Sequence, residues 1–191
     1  TYKESSAAPV RFLSGYGKVG MTAPTLWTVG HSTHSIDEFL EILRTHGITR
    51  IADIRRFPGS RKHPQYGRVA LAQSLEGAGI AYASMPELGG RREPRPDSPH
   101  TALRNASFPG SADYMDTPEF ADPAERLSTL ARQDRVAIMC CEADGWCCRR
   151  SMGGDYFKAR GWTVLHLLGR AEPKEHPYTS AARLVNGQLT Y

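Results

Sequence analysis

The stretch LWTVGHSTHSIDEFLEILRTHGITRIADI, Leu26 to Ile54, changes its hydrophobic period twice. It opens on a short apolar run, Leu26 to Gly30, of strand length. Ser35 and Glu38 have the spacing of a capping box, so a helix is predicted to begin at Ile36. Phe39, Leu40, Ile42 and Leu43 give that helix one apolar face, and Gly47 is a natural stop. Ile48 to Ile54 then reads as a second strand. Strand, helix and strand in this order begin the alternation of an α/β fold with a mostly parallel sheet.

The alternation continues outward. Val69 to Leu75 reads as a helix ending near Gly77 or Gly79, and Ile80 to Met85 as a third strand. Pro86 to Pro109 is rich in Pro, Gly and Arg and has no usable period, so it reads as a long loop. Ala112 to Met115 fits a short helical turn. Thr117 is the expected cap of a helix that carries Pro118 and Glu119 in its first turn and runs to about Arg132. Val136 to Cys141 is a fourth strand, Arg150 to Arg160 a helix and Trp162 to Leu168 a fifth strand. In ARLVNGQLTY, Asn186-Gly187 sits between two alternating runs, the signature of a type I′ hairpin. The prediction is an α/β fold: one three-layer domain over residues 25–191, with a mostly parallel sheet and a C-terminal β-hairpin. Residues 1–24 lack periodicity and are read as a tail, with Met21 a candidate natural start.

Composition sets outer limits. The chain has 191 residues, 40% of them hydrophobic and 23% charged, enough for one buried core. No apolar run approaches the roughly 18 residues of a membrane span, so no membrane partner is expected. The opening residues lack a charged region followed by an apolar one, so a cytoplasmic protein with reduced thiols is expected. The net charge of +4 favours anionic partners.

Open parallel sheets bind ligands beyond their C-terminal strand ends. Polar residues collect at each predicted end: His31-Ser32-Thr33, Asp53-Ile54-Arg55-Arg56, Glu87 followed by Gly89-Gly90, Cys140-Cys141-Glu142, and His166. His31, Asp53, Glu87 and Glu142 are therefore the candidate catalytic groups, with His31 as a proton shuttle and the carboxylates as acid or base. No Asp or Glu lies between Ile54 and Leu75, whereas Arg55, Arg56, Arg61, Lys62 and Arg68 do. Gly59 and Ser60 add loop amides there. Guanidinium forks and exposed amides suit phosphate. Gly89-Gly90-Arg91-Arg92 and Arg149-Arg150 form two further basic loops, the last at a predicted helix start. The candidate ligand-binding set is Ser32, Arg55, Ser60, Arg61, Gly89, Gly90, Arg91, Tyr114 and Arg149. Tyr66, Tyr114 and Trp146 are candidates for stacking on bases, with core packing the competing role. Each basic loop also reads as an ordinary solvated surface.

Five segments together, TVGHSTHSIDEFLEIL, ADIRRFPGSRKHPQYGR, MPELGGRR, CCEADGWCCRRSM and HPYTSAARLVNGQLTY, resemble the DUF488 family from about Leu26 to Tyr191. The resemblance implies the fold and leaves the chemistry open, since the family is named for its unknown function. The family pattern near the fourth strand is Cys-x-Glu followed by a Cys-His-Arg triplet. Cys140, Glu142, Cys147 and Arg149 match it, while Cys148 stands where the family commonly has His. That departure implies a supporting role for the position.

All four cysteines lie in CCEADGWCCRR, Cys140 to Arg150. Consecutive strand residues face opposite ways, so Cys140 and Cys141 cannot share one pocket. Adjacent pairs are not the Cys-x-x-Cys spacing of zinc sites, and no metal is expected. A thiolate loop of the Cys-five residues-Arg type fails too: that position holds Trp146 counted from Cys140 and Cys147 counted from Cys141. Cys140 and Cys147 remain candidate thiols, with small buried residues at a strand end the simpler role. Neither the Gly-x-Gly-x-x-Gly nor the Walker pattern occurs, and no cofactor is expected.

Three functions fit these residues. The first is a hydrolytic or glycosidic enzyme acting on a nucleic acid or nucleotide, with carboxylate chemistry and Arg-bound phosphate. The second is a non-catalytic nucleic-acid-binding module, which requires Asp53 or Glu142 to be neutralised by a neighbouring Arg. The third is thiol or metal chemistry at the cysteines. The expected partner is a nucleic acid or a phosphorylated small molecule, and the sequence does not fix the oligomeric state.

Overall fold

The computed structural model describes residues 22–59, 61–103, 108–142 and 149–191, with no side chain described for Arg149. Strands β1 (Thr25–Gly30), β2 (Arg50–Asp53), β3 (Ala81–Ser84), β4 (Val136–Cys140), β5 (Thr163–Leu167) and β6 (Lys174–Glu175) form one sheet in the order β3-β2-β4-β1-β5-β6. The first five are parallel, and β6 pairs antiparallel with β5. Strands β7 (Arg183–Val185) and β8 (Gln188–Thr190) form the separate C-terminal hairpin. Its turn residues Asn186 and Gly187 have φ of 51° and 79°, both positive as a type I′ turn demands.

Helices α1 (Ile36–Thr45) and α2 (Arg68–Gly77) cover one face of the sheet. Helices α4 (Pro118–Gln133) and α5 (Arg149–Ala159) cover the other, and the short α3 (Pro109–Met115) precedes α4. Side-chain alternation along the central strands divides the core accordingly. Leu26, Ile138, Cys140 and Val164 pack with Phe120, Ala124 and Leu127 of α4 and Tyr156 and Phe157 of α5. Trp27, Val29, Ala137 and Met139 pack with Phe39 and Leu43 of α1 and Leu71 and Leu75 of α2. Both faces are covered, which is why β4 reads as an unbroken apolar run.

Local chemistry agrees with this layout. Ser35 Oγ accepts from the Glu38 amide, and the Glu38 carboxylate accepts from the Ser35 amide at 2.8 Å, closing the capping box. Gly47, at φ 62°, lets the chain leave α1 in the left-handed region. Element boundaries otherwise fall within a residue or two of expectation, with three corrections. Thr117 does not cap α4 with its side chain; its hydroxyl donates back to the Tyr114 carbonyl at 2.6 Å. The long loop is partly structured, with a 3-10 turn at Pro86–Leu88 and α3 already begun at Pro109. The two-residue β6 was not foreseen, being too short to carry a period.

The strand order creates the site. Beyond β1 the chain turns towards α1 on one face, and beyond β4 towards α5 on the other. Strand β2, on the far side of β4, leads to α2 on the α1 face. The end of β4 is thus flanked on both sides by connections leaving in opposite directions, the crevice where open α/β sheets bind ligands.

Candidate functional site

The β1–β4 ladder runs past the strands into this crevice. The His31 amide donates to the Cys140 carbonyl at 3.1 Å and the Ser32 amide to the Cys141 carbonyl at 3.0 Å. Ser32 adopts φ 48°, a conformation that an L-residue with a side chain rarely takes. This kink turns the His31 ring beneath the loop that follows β2.

The His31 ring stacks on Tyr66 with centroids 4.0 Å apart and meets the His63 ring edge-on at 6.4 Å. Its Nδ1 lies 3.0 Å from the Ser32 carbonyl, an acceptor only, so Nδ1 carries the proton. Nε2 then accepts from Arg55 Nη1 at 3.3 Å. Burial pushes the ring's pKa down to about 4, Arg55 and His63 adding to the effect and the Ser32 bond and Asp53 opposing it. The ring is a neutral imidazole whose basic nitrogen already faces a guanidinium.

Arg55 and Asp53 form a closed pair. Arg55 Nε and Nη2 donate to the two Asp53 oxygens at 2.9 and 2.7 Å. The Arg55 amide and the Tyr82 hydroxyl donate to the same carboxylate at 3.0 and 2.8 Å. Asp53 is 1% exposed, and its acceptor positions are filled. Arg55 Nη2 also donates to the Tyr66 carbonyl at 2.9 Å, fixing the strand-to-loop geometry. Tyr82 is held as a phenol, its pKa pushed up to about 12 by burial and by Asp53. Asp53 and Arg55 therefore hold each other, the neutralised arrangement on which a binding module depends. Tyr66 is 1% exposed and committed to His31 and to the His34 carbonyl, so it is not a surface for a base.

The remaining candidates divide. Glu87 lies beyond β3, three strands from β1 and roughly 14 Å away at the usual strand spacing. Its carboxylate accepts from Arg126 of α4 at 2.8 Å, which departs from convergence with His31. Glu142, directly past β4, has an exposed side chain. Its carbonyl accepts from Arg150 Nη2 at 2.7 Å, so the buried arginine at this helix start is Arg150. Cys140 is buried in the α4–α5 core, and Cys141, one residue past β4, is exposed. Ser60, Trp146, Cys147 and Cys148 lie outside the described residues, as does the Arg149 side chain.

The two outer basic loops form one surface. Gly89 lies so close to Ile54 that a Cβ would overlap the Ile54 carbonyl oxygen, so only glycine fits. Next to it, Gly90 has φ 89°, and the Arg56 and Arg92 side chains flank it. Arg92 places its guanidinium 4.3 Å from the Tyr114 ring centroid. Arg56, Arg61 and Arg91 are exposed. Phe57, at the tip of the loop, is 82% exposed, with the Arg56 guanidinium 5.6 Å from its centroid. Arg56 and Arg92 stand in the basic loops read from sequence but outside the candidate ligand-binding set, and Phe57, His63 and Tyr82 carry no site reading there. The signal available was the absence of acids around Arg56 and Phe57.

His166, the strand-end histidine of β5, belongs to a separate buried chain. The Thr28 hydroxyl lies 2.6 Å from His166 Nδ1, His166 Nε2 lies 2.8 Å from His176 Nδ1, and His176 Nε2 lies 2.9 Å from Asp155. Asp155 also accepts from the Thr179 amide and hydroxyl and from the Tyr191 hydroxyl. The carboxylate accepts only, so His176 donates to it from Nε2. Burial lowers the His166 pKa to about 4, helped by His176 and Arg150.

A family model described as "Domain of unknown function DUF488" matches residues 35–157. The chain belongs to the DUF488 family. No curated protein and no solved structure matches it. Among the described residues, no helix is long and apolar enough to cross a membrane.

Proposed function

We propose that the protein binds a nucleic acid or nucleotide through its phosphates, on the surface formed by the loops after β2 and β3. The observation that carries this reading is the contact of Gly89 with Ile54, beside which the Arg56 and Arg92 side chains flank Gly90. Asp53 does not repel phosphate there, because its charge is cancelled by Arg55. The net charge of +4 supports the same sign of partner.

A second reading, catalysis on the bound ligand, is favoured by one arrangement. The neutral His31 ring and the exposed Glu142 carboxylate sit at the ends of adjacent strands in the switch-point crevice. Glu142 is the candidate acid or base, and His31 is a proton acceptor once Arg55 moves aside. Asp53 and Glu87 become positioning groups in this reading.

The test is binding of labelled oligonucleotides at two salt concentrations, followed by mass spectrometry of the recovered strands. Phosphate binding predicts affinity that falls steeply with salt. A changed strand mass supports catalysis and names the reaction, whereas an unchanged mass supports binding alone. Absence of binding at low salt refutes both.

A further inference from the structure

We infer that the nucleic acid taken by this surface is single-stranded, with an unstacked base lying on the Phe57 ring. The inference rests on the phosphate-binding reading and narrows it to one class of ligand.

Three observations converge on Phe57. Its ring is 82% exposed, more than any other large hydrophobic side chain among the described residues, the next being Val69 at 70%. It is also held in place. The Gly59 amide donates to the Phe57 carbonyl at 2.9 Å, closing a tight turn. Pro58 fixes its own φ and restricts the backbone of Phe57 before it. The root of the loop is anchored by the Asp53–Arg55–Tyr66 bonds. A ring presented by a rigid turn loses little conformational freedom when a ligand settles on it.

The third observation is the surroundings. Single apolar residues on a surface are ordinary. Phe57 is different in lying among Arg56 and Arg61, in a stretch from Ile54 to Leu75 that contains no acid. Arg56 is within cation–π range of the ring, and Arg92 lies across the neighbouring Gly90. An aromatic platform bordered by guanidinium groups matches a strand that offers a base face and a phosphate to each nucleotide. A duplex does not offer this, because its base faces are stacked inside and only edges and phosphates remain outside. Against a duplex, the ring would meet no complementary surface.

The experiment compares Phe57→Ala and Phe57→Trp with the unaltered chain by fluorescence anisotropy at low salt. The probes are a mixed-sequence single strand of about 12 nucleotides, as DNA and as RNA, and the corresponding duplexes, a length within the range one single-strand module covers. The expected result is tighter binding of single strands than of duplexes. Phe57→Ala weakens single-strand binding by about tenfold or more and leaves duplex binding unchanged. Phe57→Trp retains or improves single-strand binding. Equal affinity for both forms, or no effect of Phe57→Ala on single strands, overturns the inference and leaves the phosphate reading standing. Loss of all binding to the unaltered chain overturns both. Phe57 belongs to none of the core clusters among the described residues, so the alanine variant folds and the comparison stays interpretable.

Discussion

Acidification should weaken this fold well before its carboxylates titrate. His31 and His166 are 4% and 1% exposed, and burial lowers each pKa to about 4 from 6.5. The folded value lies below the unfolded one, so the unfolded chain takes up protons first as pH falls. Stability is complete above about pH 6.5 and is lost down to about pH 4. One pKa unit corresponds to ~1.4 kcal/mol, so moving from pH 7 to pH 5 costs about 2 kcal/mol per ring and about 4 kcal/mol for the pair. That is a large share of a typical domain stability of about 5–15 kcal/mol. Ordinary carboxylates, with pKa values of about 4, stay ionised across most of that interval. Urea unfolding followed by far-ultraviolet circular dichroism at stepped pH measures the loss. The midpoint should fall continuously from pH 6.5 downwards, and His31→Phe, which keeps a ring on Tyr66 without a proton to gain, should reduce the slope by about half. A midpoint that stays level between pH 6.5 and pH 5 would refute the reasoning.

Three further outcomes test the packing. Gly153→Ala meets open space in α5 and should stabilise the helix by roughly 0.5–1 kcal/mol, whereas Gly154→Ala puts a methyl against the His176 ring and should destabilise; melting curves of the two variants should shift in opposite directions. Arg55→Gln leaves the Asp53 carboxylate buried without its partner and should cost about 3–5 kcal/mol, but Asp53→Leu combined with Arg55→Met should recover much of it by denaturant titration; a double variant no more stable than the single one would contradict this. Ser35→Ala opens the capping box and should cost about 1 kcal/mol in the same assay, with no change in oligonucleotide binding.

The architecture was legible because its signals are local. The Ser35–Glu38 box, the apolar β4 run and the Asn186-Gly187 turn each follow from short-range sequence. The candidate site was legible only as a set of strand ends. His31, Asp53 and Arg55 do meet, but strand order decides that, and no local pattern places β4 between β2 and β1. The same order separates Glu87 from the group. Side-chain commitments were harder still. Tyr66 looks like any loop tyrosine in sequence, and its burial against His31 depends on the route of the chain after β2. That the Arg150 side chain turns inward depends on the phase of α5, which no local pattern announces.

The Asp155 carboxylate has a consequence for how the protein is made. Its donors are His176, Thr179 and Tyr191, all synthesised after α5 itself. Until those residues leave the ribosome, a negative charge meant for the interior has none of these partners, and the β5 side of the core cannot seal. The sheet can assemble from its β1 side as translation proceeds. Its closure waits for His176, Thr179 and Tyr191, so the segment that follows β5 acts as the bolt of the domain.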